Sequence, residues 1–151
     1  TALLLASGTL CHAGEWAGFD DGFRAAAANG RPVIVDFSAE WCGWCKKMEK
    51  EVFSRPDVAT RLASETVTVR IDVDSPSLLT YKGARMTAGQ LATQLRVSGL
   101  PTLLVFSPKG DRLAELVGFV DAKTFLRFLD YLKQKKYASM SFDAYLRSGP
   151  K

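Results

Sequence analysis

The chain has 151 residues, 47% of them hydrophobic, the length of one domain with enough apolar content to bury a core without disulfide staples. Its 20 basic and 16 acidic residues give a formal charge of +4. The basic residues are dispersed except for Lys133, Lys135 and Lys136 near the end of a predicted helix, where they suit the helix dipole, so no nucleic-acid or membrane patch is indicated.

Thr1 to Leu10 are small or apolar, and Cys11-His12-Ala13 follows as a small-x-Ala cleavage signal. Residues 1–13 are therefore read as the remnant of a secretory leader, and export is expected. The run is too short to span a bilayer. The alternative is an ordinary N-terminal element, in which case Cys11 stays as a free thiol or an intermolecular link.

From Glu15 to Asn29, Trp16, Phe19 and Phe23 share a helical face ahead of four alanines and the stop residue Gly30, which predicts an amphipathic helix. The β-branched run Pro32-Val33-Ile34-Val35-Asp36-Phe37 predicts a strand over about 33–38. Met48, Val52 and Phe53 then recur at helical spacing, so a helix is expected from about 42 to 54, interrupted at Arg55-Pro56-Asp57. A second helix, with Asp57 as its cap, should reach Ser64. Thr66 to Asp72 alternates as a strand, Asp72 to Lys82 is polar and turn-rich, and Thr87 to Leu95 reads as a helix. Thr102 to Ser107 and Leu113 to Gly118 form a hairpin about Pro108-Lys109-Gly110-Asp111. Asp121 caps a helix through Phe125, Leu126, Phe128, Leu129 and Leu132, and a short helix around Phe142 to Leu146 is possible in the tail. The expected fold class is α/β, a mixed central sheet with helices on both faces. The expected domain spans 14–136, followed by a C-terminal tail, 137–151.

Between the first strand and its helix lies Trp41-Cys42-Gly43-Trp44-Cys45-Lys46, which puts Cys42 at a helix N-terminus. Two thiols at this spacing interconvert between dithiol and disulfide, although the same spacing serves half a zinc site or an inert disulfide. Zinc needs more ligands. Only Cys11 and His12 remain, both in the suspected leader, so no metal is expected.

Val35-Asp36-Phe37-Ser38-Ala39-Glu40-Trp41-Cys42-Gly43-Trp44-Cys45-Lys46 resembles the thioredoxin active-site block, and Gly99-Leu100-Pro101-Thr102 resembles that family's cis-proline loop. The likeness covers about residues 15 to 136. Lys46, Glu51-Val52-Phe53-Ser54, Pro56-Asp57-Val58 and Gly118-Phe119-Val120-Asp121 are similar to the C-terminal domain of DsbD-type reductases and to SoxW-like periplasmic thioredoxins. Two departures stand out: Trp44 replaces the thioredoxin proline, and the segment Asp74 to Arg96 is longer than in plain thioredoxin.

A helix N-terminus stabilises a thiolate, which makes Cys42 the attacking group and Cys45, one turn inside and less exposed, the resolving one. Attack by Cys42 gives a mixed disulfide that Cys45 then displaces. The resemblance implies that Asp36 is a buried acid. Desolvation would raise its pKa and let it accept the Cys45 proton. A water-facing aspartate is the alternative. Arg70 on the neighbouring strand either pairs with Asp36 or faces solvent. The resemblance also implies that Pro101 is cis and that Leu100 hydrogen-bonds an extended partner. Trp41, Gly43 and Trp44 would border the thiols as a surface for partner chains, with core packing as the alternative for Trp41. Lys46 and Lys47 either assist the thiolate or are simply solvated.

The expected activity is thiol–disulfide exchange by a periplasmic or otherwise exported reductase. Its substrates are protein dithiols and disulfides, served by a membrane or soluble redox donor, with no nucleic acid and no cofactor. A monomer is expected. A thiol oxidase, or a binding or chaperone module with a structural disulfide, is the alternative.

Overall fold

Behind Gly30 and Pro32 the apolar run forms β1, Val33–Ser38, at the centre of the sheet in the computed structural model, which describes residues 15–149. The predicted leader, with Cys11 and His12, lies outside the described residues. Val33 through Phe37 are all buried, as both-face coverage requires. The strand order is β2-β1-β5-β6, with β2 at Val67–Asp72, β5 at Thr102–Phe106 and β6 at Arg112–Val117. β1 runs parallel to β2 and antiparallel to β5, and β5–β6 is an antiparallel hairpin.

Alternation along β1 sorts the core into two layers. Val33, Val35 and Phe37 pack with Phe19 and Ala26 of α1 (Phe19–Asn29) and with Leu91 of α4 (Ala88–Gln94). Ile34 packs instead with Met48 of α2 (Gly43–Met48), Val58 of α3 (Pro56–Glu65) and Phe125 of α5 (Ala122–Lys133). Asp36 shares the parity of Ile34 and so lies on the α2 side. The mixed sheet with helices on both faces is the architecture expected. Among the described residues no helix is long and apolar enough to cross a membrane.

The axis of α2 continues through a wider turn, Glu49–Phe53, in which the Ser54 amide donates to the Glu49 carbonyl five residues back at 3.0 Å. Pro56 starts α3, so the chain cannot run on as one regular helix. Asp57 is not the cap of α3. Arg55 precedes the helix in an extended conformation without a side-chain cap, and Asp57 sits in the first turn, paired with Arg55 at 2.9 Å. Asp121 does cap α5, accepting from the Thr124 amide at 2.8 Å.

Two further expectations are corrected. The helix does not begin at Glu15, because Ala17 is extended and closes the outer edge of β2. Its amide donates to Thr68 at 2.9 Å, and its carbonyl accepts from the Arg70 amide at 3.1 Å. Nor is the polar stretch only turns. It contains a second sheet, β3 (Leu78–Tyr81) with β4 (Ala84–Thr87). Lys82 and Gly83 turn at φ 48° and 80°, as a two-residue hairpin requires. Leu79 and Tyr81 point into the core, and Thr87 caps α4 in a capping box with Gln90. After α5, Lys135 (φ 54°) turns the chain into a short turn at Lys136–Ala138 and then α6, Phe142–Ser148.

Candidate functional site

Cys42 occupies the N-cap of α2 and is disulfide-bonded to Cys45, with 5.3 Å between their Cα atoms. Its Sγ accepts the Cys45 amide at 3.1 Å. The sulfur thus receives one of the unpaired amides of the helix start, which stabilises a thiolate once the bond is reduced. The expected ranking of exposure is reversed: Cys42 is 4% exposed and Cys45 7%. Ala39, Val73 and Leu100 pack with the two cysteines in one small apolar cluster.

The Leu100–Pro101 peptide bond is cis. The Pro101 carbonyl accepts the Gly118 amide at 2.8 Å, and the Thr102 hydroxyl donates to the Gly99 carbonyl at 2.7 Å, which ties this loop to β6. Trp41 is 70% exposed and does not pack in the core; its indole donates to Asp74 at 2.7 Å. Trp44 is 58% exposed and lies against Phe119, ring centroids 5.6 Å apart. Lys47 sits over both rings, at 5.2 and 4.9 Å. A Cβ at Gly43 would meet no atom within 4 Å, so the missing side chain serves no packing purpose and leaves open space beside the disulfide.

Asp36 is 2% exposed. Arg70, its register partner on β2, donates through Nε to one carboxylate oxygen at 2.7 Å and through a terminal nitrogen to Glu49 at 2.7 Å. The other Asp36 oxygen is buried without a hydrogen-bond partner. Burial pushes the Asp36 pKa above its ordinary value, the Arg70 charge and hydrogen bond oppose that, and Glu49 adds to it. The Arg70 guanidinium also stacks over Trp16, 4.1 Å from the ring centroid. A cleft of about 340 Å³ is lined by Cys45, Glu49 and Arg70, giving solvent a route towards Cys45.

The structure brings together Cys42, Cys45, Leu100, Pro101 and both tryptophans, with Asp36 on the face of β1 that α2 covers. Sequence reasoning missed Glu49, Trp16, Phe119 and Asp74 as neighbours of the site. Glu49 was findable, because it lies one helical turn beyond Cys45; Trp16 and Phe119 arrive by tertiary packing alone. Among the described residues no cluster of three or more His, Cys, Asp or Glu side chains is set to hold a metal ion.

The thioredoxin-like domain family matches residues 19–133. The thiol:disulfide interchange protein DsbD of Yersinia enterocolitica is 39% identical over 109 residues, 71% of this chain and 17% of that protein; the E. coli K12 counterpart is 41% identical over 100 residues, 65% of this chain and 16% of that protein. The chain thus spans about a sixth of the length of these curated relatives. Among solved structures, a thioredoxin from Thermus thermophilus aligns with a TM-score of 0.68 and 29% identity, over 82% of this chain and 90% of that one. The oxidised C-terminal domain of Neisseria meningitidis DsbD aligns at 0.55 and 25% identity, over 80% and 99%.

Proposed function

Because the chain belongs to the thioredoxin-like domain family and carries the redox pair of a thiol–disulfide oxidoreductase on a thioredoxin fold, we propose that it is an exported, periplasmic disulfide reductase. Its substrates are protein disulfides, and a membrane or soluble dithiol donor restores it. The observation that carries this reading is the Cys42–Cys45 disulfide at the start of α2, with Leu100 of the cis-proline loop packed on it.

In the reduced protein the Cys42 thiolate attacks one sulfur of the partner's disulfide. The S–S bond breaks, a mixed disulfide forms, and the other partner sulfur leaves as a thiolate that takes a proton from water. Cys45 gives its proton to the Asp36 carboxylate, directly or through water, and its sulfur attacks Cys42. The second partner sulfur leaves as a thiolate and takes up the proton held on Asp36, directly or through water, so the partner has gained two electrons and two protons while the Cys42–Cys45 disulfide remains and Asp36 is again a carboxylate. Burial supports Asp36 as the acceptor, since it raises the basicity of the carboxylate. Trp41, Gly43, Trp44, Leu100 and Pro101 form the surface against which an extended partner strand lies. The reading takes the thioredoxin-like domain, with α6 packed into its core, as the catalytic unit, acting as a monomer.

The test is insulin reduction with dithiothreitol as donor. Wild type should precipitate insulin, and Cys42→Ser should lose at least about a hundredfold in rate while keeping its fold, because the nucleophile is gone. Full activity retained in Cys42→Ser would reject this reading, and client binding unchanged in a Cys42→Ser/Cys45→Ser double mutant would favour the binding module with a structural disulfide. A wild type that oxidises dithiols and leaves insulin intact would favour the thiol oxidase.

A further inference from the structure

The surface around the disulfide carries both signs of charge. On one side Asp74 holds the Trp41 indole, and the cleft beside Cys45 is lined by Glu40 and Asp72 together with Lys46, Lys50 and Arg70. On the other side, one helical turn along α2, Trp44 and Lys47 stand three residues apart on one face. Phe119 closes against them from the loop after β6. Gly118 makes that approach possible. Its φ of 81° is left-handed, and its amide is held by the Pro101 carbonyl, so the turn that aims Phe119 at Trp44 is anchored on the cis-proline loop. Val117, two residues before Phe119, is exposed on the edge strand in register with Thr102.

Lys47 is the unusual member. Arg61 and Arg70 each bridge two carboxylates, and Lys133 reaches Glu65. Among the described residues Lys46, Lys47 and Lys50 enter no ion pair. Lys47 instead holds its ammonium over two aromatic faces, which orders the side chain and leaves the positive charge uncompensated. An ordered cation beside the exposed Trp44 ring and the half-buried Phe119 ring, five residues along the chain from the attacking sulfur, fits an anion on an apolar strand.

We propose that Trp44, Phe119 and Lys47 form a specificity subsite. It selects protein disulfides in which the reactive cysteine is followed or preceded, within about two residues, by a carboxylate side chain on an extended segment with apolar neighbours. The carboxylate meets Lys47, and the apolar neighbours lie on Trp44, Phe119 and Val117. A basic side chain there meets Lys47 unfavourably. This rests on the reductase reading and adds the class of substrate to it.

The experiment uses the reduced full chain and two disulfide-linked peptides that differ only in Asp or Lys beside the cysteine. Uncharged 2-hydroxyethyl disulfide is a third substrate, and rates are read by acid quenching and chromatography. Wild type should reduce the Asp peptide about fivefold faster than the Lys peptide at low salt, with the ratio shrinking near about 1 M salt. Lys47→Glu should invert the ratio, Lys47→Arg should keep it, and Phe119→Ala should lower it. Comparing ratios cancels any effect of Lys47 on the Cys42 thiolate, since that acts on both peptides alike. A wild-type ratio near one, or the same ratio in Lys47→Glu, overturns the subsite while leaving the reductase standing. A wild type that reduces none of the three substrates overturns the reductase reading and the subsite with it.

Discussion

Asp36 sets stability against chemistry within one side chain. Burial outweighs the attraction of Arg70, so its folded-state pKa lies above the ordinary 3.8. Below that ordinary value the carboxyl is protonated in both states and costs nothing extra. As pH rises through the folded-state value, the native protein must carry a buried charge with one unpartnered oxygen, and stability falls relative to a neutral side chain. Asp36→Asn should therefore match wild type in urea unfolding near pH 3 and be the more stable of the two at pH 8. Arg70 is not stranded by the change, because it keeps Glu49 and the Trp16 ring. The same variant should resolve the mixed disulfide at least about a hundredfold more slowly, since the proton acceptor is lost; trapping that intermediate with acid would measure it. A variant that is less stable at pH 8 would mean that Arg70 fully compensates the charge.

At the scale of elements, the packing of α1 on β2 turns on Gly22. A Cβ there would sit 2.1 Å from Cγ2 of Val69, a residue buried in the core. Helix propensity alone makes Gly22→Ala stabilising by about 1 kcal/mol. Overpacking should reverse that and cost about 1 to 3 kcal/mol in urea unfolding. Combined with Val69→Ala, the added methyl should cost less than it does alone, a coupling that a double-mutant cycle isolates; strict additivity would count against the clash. Elements whose own residues carry the signal were legible beforehand. β1 and β5 are apolar runs between breakers, and α5 has Asp121 as its cap. β3 and β4 were hidden because Asp72, Asp74, Ser75 and Pro76 mask the alternation of Leu79 and Tyr81. The false start of α1 has a tertiary cause: Trp16 fits a helical face, yet the open edge of β2 claims the Ala17 backbone and Phe53 claims the Trp16 ring. The site divides the same way. Cys42, Cys45, Asp36 and Pro101 sit in local motifs, whereas Glu49 and Phe119 matter only because α2 and the loop after β6 converge.

Across the whole molecule, the C-terminal segment belongs to the same core as the redox helix. Phe142 is buried edge-to-face against Phe128 at 5.0 Å and lies 5.4 Å from Tyr131. The Tyr131 hydroxyl donates to the Met140 carbonyl at 2.8 Å. That cluster is continuous with Met48 and Val52, which seat α2 on the sheet. Phe142→Ala should cost about 3 to 5 kcal/mol, a large share of the 5 to 15 kcal/mol that usually holds a domain together. The loss should appear in one cooperative unfolding transition. Native-state hydrogen exchange separates this from simple fraying: shared-core packing requires amides of β1, α2 and α5 to lose protection together with those of α6. If only residues 136–149 became labile while α2 kept its protection, the tail would be an appendage, and the positioning of Cys45 would owe nothing to it. Global loss would instead make the seat of the redox pair depend on an aromatic contact from the far end of the chain.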